Sequence, residues 1–439
     1  MHSFYEFFAG GGMAMAGLNK SGHKWECLFA NDIDEKKAES YRRNWIEKPL
    51  VTLGKAEDER PDHIAERSGK IRMIGHLGVG SVADVDTQTH LRDHGPVDLA
   101  WASFPCQDLS LAGSGAGLSG ARSGTFMPFW QLIETLRAEG RPPKLVVLEN
   151  VVGALTAGKG QDFVVLGDKL ATTGYRFGAV VINAAYWVPQ SRPRLFIIAV
   201  NEDVPLREEL LSNGPQTPWH TQALVNAHKR LMEGSLAAKR RDSWIWWNLP
   251  NPPATRSEYK TLADVIDRGE PEGVDWHSPA DTDRLIMELM NQTNQEKVRT
   301  AEKLSLETNR RIVGTVYKRM RPEGEQIGTD GNGKPIRAKV QRAEVRFDEI
   351  AGCLRTPGGG SSRQTILVID GGQTRSRLLS PREAARLMGL PKKYKLPERY
   401  NDAYHLAGDG VVVDVVDFLA VKVLEPLLAS KPEDETLSA

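Results

Sequence analysis

Three short stretches carry the side chains best suited to chemistry. FPCQDLS sets Cys106 between Pro105 and Gln107, directly after an apolar run. LENV closes an apolar run with Glu149 and Asn150, and VPQSRPRLFII places Gln190, Arg192 and Arg194 in a turn between two apolar runs. An ionised thiol is a nucleophile, a carboxyl group can hold or give a proton, and a guanidinium stabilises developing negative charge. Each has an ordinary explanation when taken alone. A lone cysteine is most often a small buried hydrophobe, a glutamate at a strand end is a solvated terminus or a cap, and arginines mostly lie at the surface. What sets the three stretches apart is their common position, each at the end of a strand-like run. In an open parallel sheet those ends form one crevice, which is where ligands bind.

A fourth stretch, FFAGGGMAMAGL, reads as strand, tight turn and helix, with Gly10, Gly11 and Gly12 in the turn. Glycines there let a backbone approach a ligand closely at a helix N-terminus. Asp32 ends the next strand-like run, WECLFAND, where the acidic residue of a dinucleotide fold takes ribose hydroxyls. The spacing does not match GxGxxG, so both a nucleotide-like cofactor and a purely structural turn stay open.

The elements that must position these residues alternate. After the first two βα units, Pro49 to Val79 is charged and aperiodic and reads as a variable connection. PVDLAWASF and KLVVLENV read as strands, FMPFWQLIETLRAEG and DFVVLGDKLATTGY as helices, and Leu111 to Gly124 as a mobile Gly/Ser/Ala loop. This alternation over about 200 residues predicts a parallel α/β sheet with crossover helices. Past residue 201 the repeat stops. Residues 202–372 are polar, proline-rich and irregular, and include SWIWWNLPNPP with Trp244, Trp246 and Trp247. Between Arg310 and Arg346 ten cationic residues stand against four acidic ones. SPREAARLMGL then predicts a helix capped by Ser380, with Pro381 at its first position and Glu383 three residues after the cap. A terminal apolar helix, VVVDVVDFLAVKVLEPLLA, is placed to pack back on the first domain.

Composition narrows the class. A chain of 439 residues with 40% hydrophobic content buries a large core and predicts two or three domains. With 57 basic and 57 acidic residues it has no net charge, so a polyanionic partner must meet a local patch. No basic start leads into a long apolar run, and no run reaches the roughly 20 residues of a membrane helix. A cytoplasmic, soluble protein is expected. Cys27, Cys106 and Cys353 are too few and too scattered for a disulfide framework or a structural zinc site. His63, His76, His90 and His94 lack metal-ligand spacing, so no metal is expected.

Taken in order, the motifs resemble the cytosine-C5 DNA methyltransferases. FFAGGGMAMAGL is similar to that family's FxGxGG cofactor motif, ANDID to its acidic second motif, FPCQDLS to its PCQ nucleophile motif, LENV to its ENV motif and VPQSRPRLFIIAV to its QxRxR motif. SRLLSPREAARLMGLP resembles its late REAARLMGFP motif, and YHLAGDGVVVDVV its final GN-containing one. The likeness spans residues 1–200 and 350–425. It implies a Rossmann-like, S-adenosylmethionine-dependent α/β sheet with a second, smaller, irregular target-recognition domain. The implied division is 1–201 for catalysis and cofactor, 202–398 for recognition, and 399–439 returning to the catalytic domain.

The resemblance also implies roles. Phe8 would lie against the adenine of S-adenosylmethionine, Gly10 and Gly12 would admit it closely, and Asp32 would hold the ribose. Ala9, Gly11, Met13, Ile33, Ser81, Val82, Pro105, Asp409 and Val411 would complete the cofactor site. Cys106 would attack cytosine C6, Glu149 would hold N3 and the exocyclic amine, and Arg194 would hold O2, with Arg192 in support. Gln107, Ser110, Asn150 and Gln190 would bind the flipped nucleotide or its phosphates, under a lid formed by Leu111 to Gly124. Four positions depart from the family pattern. Met13 stands for a second glycine, Ser81 (or Asp84, displaced) for an adenine-contacting aspartate, Asp409 for asparagine, and Tyr186-Trp187 for Tyr-Gly. The implied partner is double-stranded DNA, met by the basic stretch, while the tryptophans either contact DNA or, as such runs more often do, form a small domain's core. The implied setting is a monomeric modification enzyme paired with a restriction endonuclease in function but not in a stable complex. An RNA methyltransferase of related fold, an inactive DNA-binding relative and a Rossmann oxidoreductase are the rivals. The intact PCQ, ENV and QxRxR set counts against the last two. The family's RNA member has a shorter recognition region and a signature after ENV, neither of which is present.

Overall fold

The computed structural model describes residues 1–22, 24–47, 66–68, 70–92, 95–105, 125–234, 237–256, 258–331, 333–355 and 363–429. The first part of the chain runs β1 (His2–Phe7), α1 (Met13–Leu18), β2 (Trp25–Asp32), α2 (Glu35–Tyr41), β3 (Glu66–Ser68), β4 (Ile71–Ile74), β5 (Leu77–Val79), α3 (Thr87–His90), β6 (Leu99–Ala102), α4 (Phe126–Ala138), β7 (Leu145–Val151), α5 (Gln161–Thr172), β8 (Tyr175–Asn183) and β9 (Pro193–Asn201). Its strands form one nine-stranded sheet in the order β3-β4-β5-β2-β1-β6-β7-β9-β8.

The central strands are mostly apolar because both faces are covered. Phe4, Trp101, Val147 and Phe196 pack on the side of α1, while Tyr5, Ala100, Val146 and Ile197 pack on the side of α4 and α5. Side chains of alternate strand residues thus divide between two cores.

Two features of the sheet differ from the all-parallel expectation. β1, β2, β5, β6 and β7 run parallel, but β9 is antiparallel to both β7 and β8. β8 and β9 are joined by residues 184–192, and a short connection joins antiparallel neighbours, whereas a parallel return needs a crossover of a dozen residues or more. The stretch read as a variable connection also contributes strands. Its described part supplies β3, β4 and β5, which extend the sheet beyond β2.

The chain continues through β10 (Leu211–Ser212), α6 (Gln222–Leu231), α7 (Ala237–Ser243), β11 (Trp246–Trp247), α8 (Leu262–Val265), α9 (Pro279–Met287), α10 (Gln292–Thr308), β12 (Ile312–Arg321), β13 (Gln326–Thr329), β14 (Pro335–Arg337), β15 (Val340–Arg346), β16 (Thr365–Asp370) and β17 (Gln373–Leu378). It closes with α11 (Pro381–Leu387), α12 (Tyr400–Asp409), α13 (Val413–Leu419) and α14 (Glu425–Leu428). The region expected to be irregular holds an antiparallel sheet, β15-β12-β16-β17, with α9 and α10 over one face around Val298, Val316, Val345 and Leu367. The opposite face, through Val313, Ile366 and Val368, joins the core on the α1 side of the large sheet.

The tryptophan-rich stretch, for which both DNA contact and a core role are open in the sequence, packs as core along β8. Ile245 N–H donates to the Phe177 carbonyl at 2.7 Å, Trp244 lies edge-on to Phe177, and Trp247 is fully buried. Burying an indole removes more apolar surface from water than any other side chain, which favours this over an exposed position. The cap on α11 is as expected. Ser380 and Glu383 form the reciprocal box, and Glu383 also pairs with the buried Arg377 at 2.6 Å. The terminal apolar segment packs α13 on α1. The contact is tight, since any Cβ on Gly17 would collide with Val416.

Candidate active site

One cavity of about 700 Å³ runs along the ends of β1, β2, β6 and β7 and the start of β9. At one end is the glycine turn. Phe8, Gly10 and Gly12 all have left-handed φ, at 56°, 55° and 76°. That conformation is uncommon for a phenylalanine, and such strain is typically stored at binding turns. A Cβ at Gly10 would meet no protein atom within 4 Å, whereas one at Gly12 would collide with the Trp45 indole. Trp45 Nε1 donates to the Gly11 carbonyl at 2.7 Å and fixes the turn from behind. Gly10 therefore leaves backbone open to the cavity, and Gly12 lets the turn close on its support.

Asp32, at the end of β2, accepts from Gly10 N–H at 2.7 Å and from Asp34 N–H at 2.8 Å. Burial pushes its carboxyl up, while the Asp34 amide, Lys37 and the Gly10 amide pull it down. Ile33 beside it is 70% exposed, an apolar face at the cavity rim. Ser81 and Val82 also line the cavity, with the Ser81 hydroxyl accepting from Ala83 N–H at 3.3 Å. Asp84 pairs with Lys70 at 3.2 Å and is not among the lining residues, so Ser81 holds that wall. Asp409 pairs with Lys37 at 2.6 Å, which neutralises the carboxylate standing in the asparagine position. Ala9, Gly11, Met13, Pro105 and Val411 line the same cavity, but Gly12 does not.

At the other end lie Glu149 and Arg194. Glu149 is on β7 and Arg194 on β9, where Arg194 pairs in register with Val151. Because β9 is reversed, its start lies beside the C-terminal end of β7. Arg194 Nε stands 3.3 Å from Glu149 Oε1. Burial raises the Glu149 carboxyl above its ordinary range, against the pull of Arg194, Arg192 and a hydrogen bond from Ser103. A carboxyl held in this way keeps its proton to a higher pH than usual, as a proton-holding group must.

The structure separates four other expected residues from direct contact. Arg192 is 1% exposed and donates to the carbonyls of Leu354 at 3.0 Å, Gly408 at 2.8 Å and Gly410 at 2.6 Å. It is a positioning residue that pins two segments, one at Leu354 and one at the end of α12, to the start of β9. Gln190, also fully buried, donates to the Leu387 carbonyl at 2.8 Å and accepts from Leu354 N–H at 3.1 Å. Asn150 lines the cavity, yet its amide donates to the Phe104 carbonyl at 3.0 Å and accepts from Val151 N–H at 2.8 Å. It holds the strand leading to Pro105 rather than facing outward. Gly12 acts through the turn, by closing it on Trp45. Cys106, Gln107, Ser110 and the expected lid lie outside the described residues.

Among the lining residues that carry no assignment from the sequence, five bear most on the chemistry. Glu6, on β1, is fully buried, and burial pushes its carboxyl up to about 8 against hydrogen bonds from the Met15 and Ala14 amides. Its signal is present, as a single acid inside the apolar run FYEFF. Lys37 has no signal beyond a polar helix. Cys353, Leu354 and Arg355 arrive from the end of the small-sheet region, and Cys353 Sγ lies 3.8 Å from Arg194. No local pattern marks them. A larger groove of about 1140 Å³ beside α10 shares no residue with these strand ends.

The lining suits a cationic nucleoside cofactor. Asp32 and Asp34 stand at the end of β2 beside the glycine turn, and the open backbone at Gly10 faces no competing side chain. Among the described residues no cluster of three or more His, Cys, Asp or Glu is arranged to hold a metal ion, and no helix is long and apolar enough to cross a membrane.

Comparison with known proteins agrees with this geometry. The chain is 26% identical to the type II methyltransferase M.HhaI of Haemophilus parahaemolyticus, over 96% of this chain and 93% of that one. It is 25% identical to the type II methyltransferase M.BanI of Aneurinibacillus aneurinilyticus, over 97% and 95%. The fold is similar to that of the S. pombe Dnmt2 methyltransferase, with a TM-score of 0.52 at 14% identity over 97% of this chain and 99% of that one. A model of the C-5 cytosine-specific DNA methylases matches residues 76–425, and with most of the chain covered, this protein belongs to that family of S-adenosylmethionine-dependent DNA methyltransferases.

Proposed function

We propose that the protein methylates C5 of a cytosine turned out of double-stranded DNA, through a covalent bond between Cys106 and C6. The observation that carries this reading is the Glu149–Arg194 pair, 3.3 Å apart in the same cavity as the glycine turn. Cytosine C5 is a poor nucleophile. A thiolate adding at C6 pushes electron density to C5, and the ring then needs a proton at N3 and positive charge near O2. The raised Glu149 carboxyl supplies the first and the Arg194 guanidinium the second. S-adenosylmethionine, which the glycine turn, Phe8 and Asp32 would hold, would supply an electrophilic methyl group and leave as S-adenosylhomocysteine. Loss of the C5 proton and then of the thiolate releases the product. Extruding the base costs a few kcal/mol, offset by contacts in the pocket.

In this reading residues 1–201 carry cofactor and catalysis, 202–398 target recognition, and 399–439 complete the catalytic half. The type II relatives support a modification enzyme working alongside a restriction endonuclease, and the same reading takes the protein as cytoplasmic and monomeric. Cys106→Ala tests the mechanism. It should lower methyl transfer by more than about 10⁴-fold while leaving duplex binding intact. A duplex carrying 5-fluorocytosine should trap an adduct on the wild-type chain. Residual methylation by Cys106→Ala near the wild-type rate would overturn the covalent reading.

A further inference from the structure

Two neighbouring lysines on α2 have different surroundings. Lys36 pairs with Asp402 of α12 at 2.7 Å and leaves 63% of its side chain exposed. Lys37 pairs with Asp409, at the end of the same helix, at 2.6 Å and is 17% exposed. It lines the cavity together with Gly10, Asp32, Asp34 and Asp409. Asp34 caps α2, accepting from Lys36 N–H at 2.9 Å and Lys37 N–H at 3.2 Å, and its own N–H donates to Asp32 at 2.8 Å. The start of α2 is therefore locked to the end of β2, and the place of Lys37 is tied to that of Asp32.

Asp409 is fixed as well. Arg192 holds the carbonyls on either side of it, at Gly408 and Gly410. A Cβ at Gly410 would collide with the Met13 sulfur, and His405 Nδ1 lies 3.3 Å from the Asp409 carboxylate. Burial works against the charge on Lys37, but Asp409, Asp32 and Asp34 outweigh it and raise the ammonium above its ordinary range. Ordering so long a side chain costs rotamer entropy, and an exposed ion pair by itself returns little of it. A charged, enclosed ammonium thus stands ready at the end of the cavity that holds Asp32 and the glycine turn.

S-adenosylmethionine carries one anionic group, the α-carboxylate of its amino-acid end. Enclosing a carboxylate without a donor or a counter-charge is costly. An ammonium has three N–H donors, of which Asp409 takes one. Asp409 also stands where the family pattern has asparagine. An amide both donates and accepts, whereas a carboxylate accepts alone, and Lys37 returns a donor to that position.

Resting on the cofactor placement in the reading above, we propose that Lys37 binds the α-carboxylate of S-adenosylmethionine, with Asp409 as the positioning residue that aims its ammonium. The contact forms no covalent bond and is independent of the role of Cys106. S-adenosylhomocysteine carries the same carboxylate and is held in the same way.

The test uses the full chain freed of cofactor and isothermal titration with S-adenosylhomocysteine and with its decarboxylated analogue, which differs in that one group. Wild type should prefer S-adenosylhomocysteine by about tenfold or more, the size of a charge-assisted hydrogen bond. Lys37→Met should lower that preference by about tenfold while changing affinity for the analogue by less than about threefold. Lys37→Arg, which keeps a cation, should retain most of the preference. Lys36→Met, which removes the outer pair, should leave both affinities within about twofold. Equal weakening of both ligands by Lys37→Met would mean that the lysine only ties α2 to α12, and the proposal falls. It falls equally if the preference survives in Lys37→Met. Should that variant not fold, Lys37→Gln is read by the same two outcomes. A wild-type chain that binds S-adenosylhomocysteine without preference overturns this proposal alone, whereas one that binds neither ligand overturns the cofactor placement together with it.

Discussion

At the strand ends of the large sheet, charged side chains are buried and held from several sides. Arg192 is 1% exposed and satisfies three backbone carbonyls, and Glu149 is buried against Arg194. In the ribbon of β13 and β14, charged side chains stand in water on a ladder of backbone hydrogen bonds with no core beneath them. The contrast separates two duties. A reaction centre needs its proton holders and cations desolvated and fixed, because their strength comes from low dielectric and immobility. An exposed ribbon has no such need, and its side chains gain nothing from burial in the free protein. It can change residue by residue without unsettling the fold.

If that contrast is real, stability and binding should respond oppositely in the two regions. The largest stability effect belongs to Arg192→Ala. Three buried or half-buried carbonyls would lose their donor together, costing about 3 kcal/mol or more in urea unfolding. A loss within about 0.5 kcal/mol would mean that water replaces the guanidinium and that the site is less enclosed than the burial of Arg192 implies.

A smaller, pH-dependent effect belongs to Glu6. Its buried carboxyl titrates at about 8, so between the ordinary carboxylate range and that value the folded chain holds a proton the unfolded chain has released. Wild-type stability without cofactor should therefore be complete at acid pH and be lost as pH rises through about 8. Glu6→Gln should remove that decline, with melting points of the two proteins diverging at about pH 9 and not at about pH 5. Parallel pH profiles would show that the carboxyl is hydrated.

The smallest effect belongs to the ribbon. Ile327→Ala with Ile336→Ala should leave unfolding within about 0.5 kcal/mol of wild type, since both side chains are exposed. A larger loss would place the ribbon in the folded core's cooperative unit and erase the comparison.

Much of this arrangement is legible locally. The apolar runs of β1, β6 and β7, the glycine turn and the Ser380–Glu383 cap follow from side-chain period and from backbone conformations that depend only on near neighbours. Glu149 and Arg194 are legible as chemistry because each lies at the end of an apolar run. Cys353 and Arg355 are not, since their place in the cavity comes from a segment that leaves another sheet. The tryptophans of SWIWW leave two readings open for a related reason. A run of aromatics announces that surface must be covered, but not whether protein or nucleic acid will cover it.

The sequence by itself determined which residues could react, which runs had to be strands, and that the chain is a cytosine-C5 methyltransferase relative. Only the tertiary structure decided that β9 runs backwards, which sets Arg194 against Glu149, that Arg192 and Gln190 brace the site from behind it, and that the basic stretch stands clear as a ribbon. The physical reason is one of range. Element type is set by interactions over a few residues. Strand direction and exposure are set by which distant apolar surfaces find each other, and no short stretch encodes that alone.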